Sequence, residues 1–147
     1  MIEGPMLRKA TIDDLQVLTT MNVALRADEQ IDNEMSPSEV EARMRDFITG
    51  EQYQAYTINI ESSIVGYMVV DVIREPPYLR QFFIEASKRG QGLGASALAD
   101  LRTLLASDRL DVEVMIWNPR AIKFYEKNGF KARVIGLSFS VLSRENH

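Results

Sequence analysis

Cysteine is missing from this sequence of 147 residues, and histidine occurs once, as the final residue His147. The absence of cysteine excludes disulfide bonds, thiolate metal ligands and a cysteine nucleophile. A single histidine at a chain end, where order is often lost, argues against a Ser-His triad and against a histidine metal cluster. Catalysis would therefore use carboxylates, tyrosine, lysine, serine or backbone groups, and we expect no metal.

Long apolar runs and a strong net charge are also missing. No run approaches the roughly 18 residues that a membrane span needs, and the first six residues contain no signal-peptide core. We therefore expect a cytoplasmic protein without a membrane partner. Seventeen Lys and Arg against 21 Asp and Glu give a net charge of -4, which argues against nucleic acid as a partner and favours a neutral or cationic substrate.

The composition indicates one folded domain. Hydrophobic residues make up 46% of the chain and charged residues 26%, which is close to the averages for globular proteins. A chain of this length buries about two-thirds of its unfolded surface on folding, so one core is enough. We expect a single domain over residues 1–147.

The first half of the chain predicts two helices and a hairpin after a short strand at 7–10. Apolar residues recur at helical spacing from Leu15 to Leu25, and Ser36-Pro37-Ser38-Glu39 indicates a capping box that opens a second helix ending at Gly50. Strands at 53–60 and 64–73 flank a polar turn. An acidic stretch, residues 28–34, connects the two helices.

The second half predicts alternating strands and helices. A strand at 78–84 leads into a glycine-rich turn at 89–94 and then into a helix with an apolar stripe. A strand at 112–117 precedes a short helix that begins after Asn118 and ends at Asn128-Gly129, with Phe130 packed back on Phe124 or Tyr125. Residues 131–142 predict one or two final strands.

The glycine-rich turn is a candidate anion site. Gly90, Gly92 and Gly94 remove side chains that would block access to the backbone N–H groups at the start of the following helix. Arg89 adds a positive charge. The spacing predicts a phosphate or pyrophosphate ligand, and the alternative is a tight turn that needs glycine for its positive φ angles.

A dinucleotide-binding interpretation fits the same residues less well. Gly90-x-Gly92-x-x-Ala95 satisfies the Rossmann pattern, and Asp111 or Glu113 could supply the acidic residue expected roughly 20 residues further on. However, the motif lies past the midpoint of the chain, and a lone fingerprint of this kind is weak evidence.

A second motif covers residues 118–130. In a helix that begins at Pro119, Ala121 and Tyr125 lie four residues apart on one face, so small Ala121 leaves room beside the Tyr125 hydroxyl. The alternative is structural: Asn118 caps the helix, Gly129 ends it, and the aromatic side chains join the core.

Together the two motifs resemble those of the GNAT superfamily of coenzyme A-dependent N-acetyltransferases. The Arg/Gln-x-x-Gly-x-Gly/Ala loop is present as Arg89-Gly90-Gln91-Gly92-Leu93-Gly94, and the Asn-x-x-Ala-x-x-Phe-Tyr-x-x-x-Gly-Phe helix runs from Asn118 to Phe130. The resemblance implies the α/β fold of that family: a mixed, mostly antiparallel sheet flanked by helices, with coenzyme A wedged where two adjacent parallel strands splay.

The resemblance also implies an activity, the transfer of an acetyl group from acetyl-CoA to a primary amine that attacks the thioester directly in a ternary complex. Tyr125 would be the catalytic acid for the departing thiolate, since its reference pKa of about 10 exceeds that of a thiol, about 8.5. The Phe82 N–H could stabilise the oxyanion. The coenzyme A-binding residues implied are Phe82, Ile84, Arg89, Gly90, Gln91, Gly92, Leu93, Gly94, Ala95, Asn118 and Ala121.

The resemblance supplies no general base. Family members often carry a carboxylate on the strand before the glycine loop, but here Arg80 and Gln81 stand on that strand and no acidic residue does. Glu29, Asp32 and Glu34 in the acidic stretch are candidates. A water relay, or an amine that binds already neutral, would need no dedicated base.

Two functions of other classes stay open: a coenzyme A-binding regulatory module without turnover, and a dinucleotide-binding fragment. The acceptor could be a small amine, an amino acid, an antibiotic or a protein amine. The acidic stretch and the net charge of -4 favour a cationic acceptor. A homodimer is also left open.

Overall fold

Five strands form one mixed sheet among the residues that the computed structural model describes, which are 6–31 and 33–141. The sheet order follows the chain order. Strands β1 to β4 pair antiparallel, and β5 pairs parallel with β4. The strands are β1 (Leu7–Lys9), β2 (Tyr53–Ile60), β3 (Ser63–Asp71), β4 (Tyr78–Ile84) and β5 (Asp111–Val112). The predicted mixed, mostly antiparallel sheet is confirmed.

The chain divides into two units, one up to Met115 and one from Ile116. The sheet and the first three helices belong to the first unit, and the last helix belongs to the second. A single domain over the whole chain stays a prediction. Asp32, Leu142 and His147 lie outside the described residues.

The parallel pair of strands is short, and the other edge of β4 is irregular. Tyr78 pairs with Asp111 and Leu79 with Val112, after which β4 continues to Ile84 paired with β3 but not with β5. On the β3 side, Val69 faces Gln81 and the next residue, Val70, faces Leu79. Arg80 therefore has no partner in the ladder and is the extra residue of a bulge. A bulge redirects side chains locally, and this one lies at the residues where the sequence lacks the expected carboxylate.

Helices α1 (Leu15–Asp28), α2 (Pro37–Thr49) and α3 (Leu93–Leu105) flank the sheet. α1 and α2 bury their apolar stripes against β2, β3 and β4 in a core that includes Leu18, Met21, Met44, Phe47, Ala55, Tyr67, Val69 and Phe83. The predicted capping box of α2 is confirmed, since the Ser36 N–H donates to the Glu39 carboxylate at 2.7 Å. None of the described helices is long and apolar enough to cross a bilayer.

Gly50 ends α2 for a reason other than a left-handed conformation. Its φ of -79° and ψ of 179° are extended, but a Cβ there would lie 2.8 Å from the Asp46 carbonyl oxygen. Glycine suits this position because a side chain would come too close to the Asp46 carbonyl oxygen.

The last helix, α4 (Pro119–Lys127), has the predicted start and stop. The Asn118 side-chain oxygen accepts a hydrogen bond from the Ala121 N–H at 3.1 Å. Gly129 has a φ of 96°, and the Phe130 N–H donates to the Tyr125 carbonyl at 3.0 Å. This bond spans the last turn as in a Schellman motif, so the predicted helix stop is confirmed.

Two strand predictions after α3 are wrong. A strand was expected over 112–117, but β5 ends at Val112. Strands were also expected over 131–142, but residues 131–141 form neither helix nor strand and are exposed, Leu137 at 91% and Phe139 at 90%. Alternating apolar residues indicate which side of a strand is buried, but a strand also needs a hydrogen-bonded neighbour, and the alternation does not supply one.

Candidate active site

The loop between β4 and α3 presents backbone rather than side chains. Gly90 and Gly92 have φ angles of 77° and 81°, in the left-handed region that glycine adopts without strain. A Cβ built on either residue meets no atom within 4 Å. The open space around both glycines lets a ligand approach the backbone here.

α3 begins directly after this loop with its N–H groups directed toward the same region. The Ser96 N–H donates to the Gly92 carbonyl at 3.2 Å, so helix geometry leaves the N–H groups of Leu93, Gly94 and Ala95 without acceptors inside the helix. Such groups, together with the helix dipole, attract phosphates. The residues present therefore fit the pyrophosphate of coenzyme A.

Two side chains of the loop between β4 and α3 form hydrogen bonds within the first unit. The Arg89 Nε donates to the Ile84 carbonyl at 2.7 Å, and its terminal nitrogen forms an ion pair with Asp28 at the end of α1, at 2.8 Å. The Gln91 amide donates to the Ser87 carbonyl at 3.3 Å. Arg89 thus connects β4 to α1, and Asp28 offsets part of its charge.

A cavity of about 350 Å³ lies between α1 and the chain from Phe83 to Arg89, which comprises the end of β4 and the segment after it. Arg89 and Asp28 both line it. The other lining residues come from the same two parts of the chain: Thr20, Met21 and Ala24, and Phe83, Glu85, Ala86 and Ser87. The predicted coenzyme A loop therefore borders an open space beside α1.

Phe82 and Ile84 lie on the part of β4 that continues past the last pair with β5. They face Met68 and Gly66 of β3 across the antiparallel ladder, and both are half-buried. The resemblance assigns the pantetheine arm to the backbone of this stretch. Their role as ligands of coenzyme A stays a prediction.

In the second unit, α4 brings Ala121 and Tyr125 to one helix face, four residues apart. The Tyr125 ring packs edge-on against Phe124, with centroids 5.1 Å apart, and against Phe130, at 5.2 Å. Asn118 is observed as a helix cap. Its contact with coenzyme A and the acid role of Tyr125 stay predictions.

A buried polar network, which the sequence motifs did not predict, connects α1, β3 and β4. The Asn22 amide donates to the Tyr67 hydroxyl at 3.0 Å and to the Gln81 side-chain oxygen at 3.1 Å. The Tyr67 hydroxyl donates to the same Gln81 oxygen at 2.7 Å. Burial raises the pKa of Tyr67 well above its usual range, so the hydroxyl stays a hydrogen-bond donor.

One sequence signal could have found this network. Asn22 lies between Leu18 and Leu25 on the apolar stripe of α1, where its side chain is only 1% exposed. A polar residue at a core position of a helix needs hydrogen-bond partners in the core. That requirement predicts polar residues on the facing strands, although it does not say which ones.

Arg43 extends this network to α2, and the charge of Arg80 lies close to Arg43. Arg43 on α2 donates to the Asn22 side-chain oxygen at 3.2 Å, and Arg80 on β4 donates to the Tyr53 hydroxyl at 3.1 Å. Their guanidinium groups lie 5.6 and 5.4 Å from the centroid of the same Phe47 ring. Burial lowers the pKa of Arg43, and the positive charges of Arg80 and Arg26 lower it further.

The three candidate bases differ in their surroundings. Glu29 is half-buried, and burial raises its pKa, with a further contribution from the neighbouring charge of Asp28. Glu34 is exposed, and Asp32 lies outside the described residues. A half-buried carboxylate with a raised pKa is a stronger proton acceptor than an ordinary one, which favours Glu29.

A family model described as the acetyltransferase (GNAT) domain matches residues 15–139. This chain therefore belongs to the GNAT acetyltransferases, a family of acyl-transferring proteins. The match confirms the resemblance of the two motifs and covers α1 to α4.

Solved structures share the fold. A tetramutant of the BH1408 protein from Bacillus halodurans superposes with a TM-score of 0.78 at 18% identity, covering 93% of this chain and 100% of that one. An aminoglycoside acetyltransferase from an uncultured soil metagenomic sample, in complex with sisomicin, gives 0.70 at 13% identity over 92% and 95%. Ribosomal-protein-alanine N-acetyltransferase from Brucella melitensis biovar Abortus 2308 gives 0.69 at 13% over 91% and 97%. No curated protein matches significantly.

Proposed function

We propose that this protein is an acetyl-CoA-dependent N-acetyltransferase that acetylates a primary amine by direct attack in a ternary complex. One observation carries the proposal. In a chain of the GNAT family, the β4–α3 loop offers an open backbone at Gly90 and Gly92, directly before the N–H groups that start α3. This arrangement fits a pyrophosphate.

The loop residues would hold the pyrophosphate of acetyl-CoA, and the end of β4 would hold its pantetheine arm. When bound, acetyl-CoA supplies an acetyl group activated as a thioester. The proposed ligands are Phe82, Ile84, Arg89, Gly90, Gln91, Gly92, Leu93, Gly94 and Ala95, with Asn118 and Ala121 from the second motif.

Two side chains would move the protons that the reaction requires. Glu29 would accept a proton from the amine, directly or through water, as the nitrogen–carbon bond forms. Tyr125 would give its proton to the sulfur as the carbon–sulfur bond breaks. The raised pKa of Glu29 supports the first role, and the match of Tyr125 to the family motif supports the second.

The acceptor in this proposal is a small-molecule or protein amine. The aminoglycoside acetyltransferase and the ribosomal-protein-alanine N-acetyltransferase share the fold, and their names cover both kinds of amine. Neither nucleic acid nor a membrane is part of the proposed reaction. A cytoplasmic location and a homodimer stay expectations.

An amine panel with acetyl-CoA, followed by thiol release, tests the proposal. We expect at least one amine to release coenzyme A, and we expect acetyl-CoA, but not NAD, to raise the melting temperature by mass action. Stabilisation by acetyl-CoA without turnover of any amine would instead support the regulatory module. Stabilisation by NAD alone would support the dinucleotide-binding fragment.

A further inference from the structure

Three arginines from three different elements lie close together beside the Asn22 network. Arg26 lies one helical turn after Asn22 on α1, Arg43 contacts Asn22 from α2, and Arg80 stands on the bulge of β4. Arg43 and Arg80 share the Phe47 ring. We refer to Arg26, Arg43 and Arg80 as the arginine cluster.

Among residues 6–31 and 33–141, the hydrogen bonds observed from the arginine cluster go to neutral oxygens. Arg26 donates to the Asn33 carbonyl and side chain, Arg43 to the Asn22 amide oxygen, and Arg80 to the Tyr53 hydroxyl. The ion pairs observed in this part of the chain include those of Arg8, Arg89 and Arg109.

Clustered guanidinium groups without a carboxylate are unfavourable unless an anion binds there. Arg26 and Arg43 are half-buried, and a half-buried charge without a counter-charge costs free energy. Each guanidinium has five donors in a planar fork that matches a carboxylate or a phosphate. The hydrogen bonds to Asn22 and Tyr53 use one donor each of Arg43 and Arg80, which leaves donors for a ligand.

We propose that the arginine cluster binds an anionic group of the acceptor, so that the preferred substrate is an amine that also carries a carboxylate or a phosphate. This inference rests on the proposed function. Arg80 lies two residues before Phe82 on β4, where the proposed thioester site begins. An anion held by Arg80 and Arg43 would therefore keep the amine of a small acceptor close to that site.

The proposal differs from the expectation of a cationic acceptor, which rested on the acidic stretch at 28–34. The acidic stretch begins at the last residue of α1, whereas the arginine cluster comes from α1, α2 and β4. Glu29 could receive the amine end of an acceptor while the arginine cluster receives its anionic end. A molecule with both groups, such as an amino acid, would satisfy both.

Matched pairs of acceptors test this proposal by thiol release at saturating acetyl-CoA. One arm compares amino acids with their carboxamides, a second compares phosphoethanolamine with ethanolamine, and a third contains polyamines. We expect kcat/KM to be about tenfold or more higher for the anionic member of the preferred pair, because charge-assisted bonds to Arg are strong. The first two arms distinguish a carboxylate from a phosphate.

Substitutions then test whether the arginine cluster causes the preference for anionic acceptors. Arg80→Gln and Arg43→Gln should each reduce the ratio of anionic to neutral kcat/KM toward one, mainly by raising KM for the anionic member. Arg80→Lys should restore part of the ratio. Arg45→Gln, a loss of the same charge from an exposed position on α2, should leave the ratio unchanged.

The possible results distinguish failure of this inference from failure of the proposed function. Equal use of the two members of every pair, a preference for polyamines, or a ratio that survives both Gln variants would overturn the proposal while N-acetyl transfer stands. Thiol release from no amine would overturn the proposed function and this inference with it. Arg80 is exposed, so its variant remains informative if Arg43→Gln lowers the melting temperature.

Discussion

Helix α1 borders two regions of different construction. On one side, Thr20, Met21 and Ala24 line the cavity that leads to the glycine loop, where the proposed ligand contacts are backbone N–H groups. On the other side, Asn22 contacts Arg43 and Gln81, and the proposed ligand contacts are side chains from α1, α2 and β4. One helix thus separates a backbone site from a side-chain site.

The two regions would recognise their ligands by different kinds of contact. Backbone N–H groups at a helix start recognise a phosphate irrespective of most neighbouring side chains, so one loop can serve a cosubstrate shared by a whole family. Side chains gathered from separate elements can change one at a time without disturbing the loop. We call the side of α1 that borders the cavity and the glycine loop the loop side, and the side where Asn22 contacts Arg43 the arginine side. We expect substitutions on the loop side to affect binding of acetyl-CoA. Substitutions on the arginine side should affect the choice of acceptor.

The largest expected effect comes from Gly92→Asp. The new side chain would be strained at a φ of 81° and would place a negative charge beside the pyrophosphate. We expect the rise in melting temperature with acetyl-CoA to disappear and turnover to be lost. Gly136→Asp, at an exposed position where a Cβ also meets nothing within 4 Å, is the matched control. A folded Gly92→Asp variant that keeps the full shift would remove the glycine loop from the site.

Tyr125→Phe should have the next largest effect, and it tests the second unit separately. The ring stays packed between Phe124 and Phe130, and only the hydroxyl is lost. An acid role predicts a drop in kcat of roughly 10²-fold with little change in the affinity for acetyl-CoA. Calorimetric titration and thiol release measure the two quantities. Tyr56→Phe, in the buried part of β2, should keep its turnover. Near-normal kcat in Tyr125→Phe would make that tyrosine structural.

Glu29→Gln tests the proposed base, which lies at the C-cap of α1. We expect kcat/KM for the acceptor to fall about tenfold, whereas Glu34→Gln, an exposed change in the same acidic stretch, should leave it unaltered. Because only the carboxylate form accepts a proton, the wild-type rate should rise with pH through the raised pKa of Glu29. This rise in rate should occur at a higher pH than the ordinary glutamate pKa of about 4.3. It should be absent in Glu29→Gln. An unchanged profile in the variant would favour a water relay.

The conformation of the loop on the loop side of α1 could be predicted from the sequence because it depends on neighbouring residues. A phosphate loop needs consecutive residues with particular backbone angles, and those requirements leave an uninterrupted motif from Arg89 to Gly94. Gly90 and Gly92 have the positive φ angles that a tight turn, the structural alternative, predicts, and binding of a phosphate by this turn stays a prediction. The helix stop at Gly129 was predictable for the same reason.

The arginine side could not be predicted because its members are far apart in sequence. Asn22, Arg43 and Gln81 meet only after two helices pack on the sheet and a bulge redirects β4. No spacing rule connects them. The prediction of strands at 131–142 was wrong for the same reason. A strand depends on a partner strand that is distant in sequence, and the alternation of its own residues does not identify that partner.

Asp28→Asn should give the smallest effect, and it tests how far the two sides of α1 are independent. Asp28 pairs with Arg89 at 2.8 Å, but the two side chains are 48% and 45% exposed, so the pair should contribute about 1 kcal/mol or less to the free energy of unfolding. The carboxylate also lies at the C-terminal end of α1, where the helix dipole disfavours it. The melting temperature should therefore hardly change.

The affinity for acetyl-CoA should nevertheless rise in Asp28→Asn, by about threefold at low salt, because the variant removes a negative charge that competes with the pyrophosphate for Arg89. Calorimetric titration at low and high salt measures this, and the gain should shrink as salt screens the charges. Asp46→Asn, on the exposed face of α2, controls for net charge alone. The ratio of anionic to neutral acceptors should stay unchanged, since Asp28 lines the cavity on the loop side. A loss of affinity would mean instead that Asp28 holds Arg89 in the position that the pyrophosphate requires, and α1 would then be part of the cosubstrate site rather than its border.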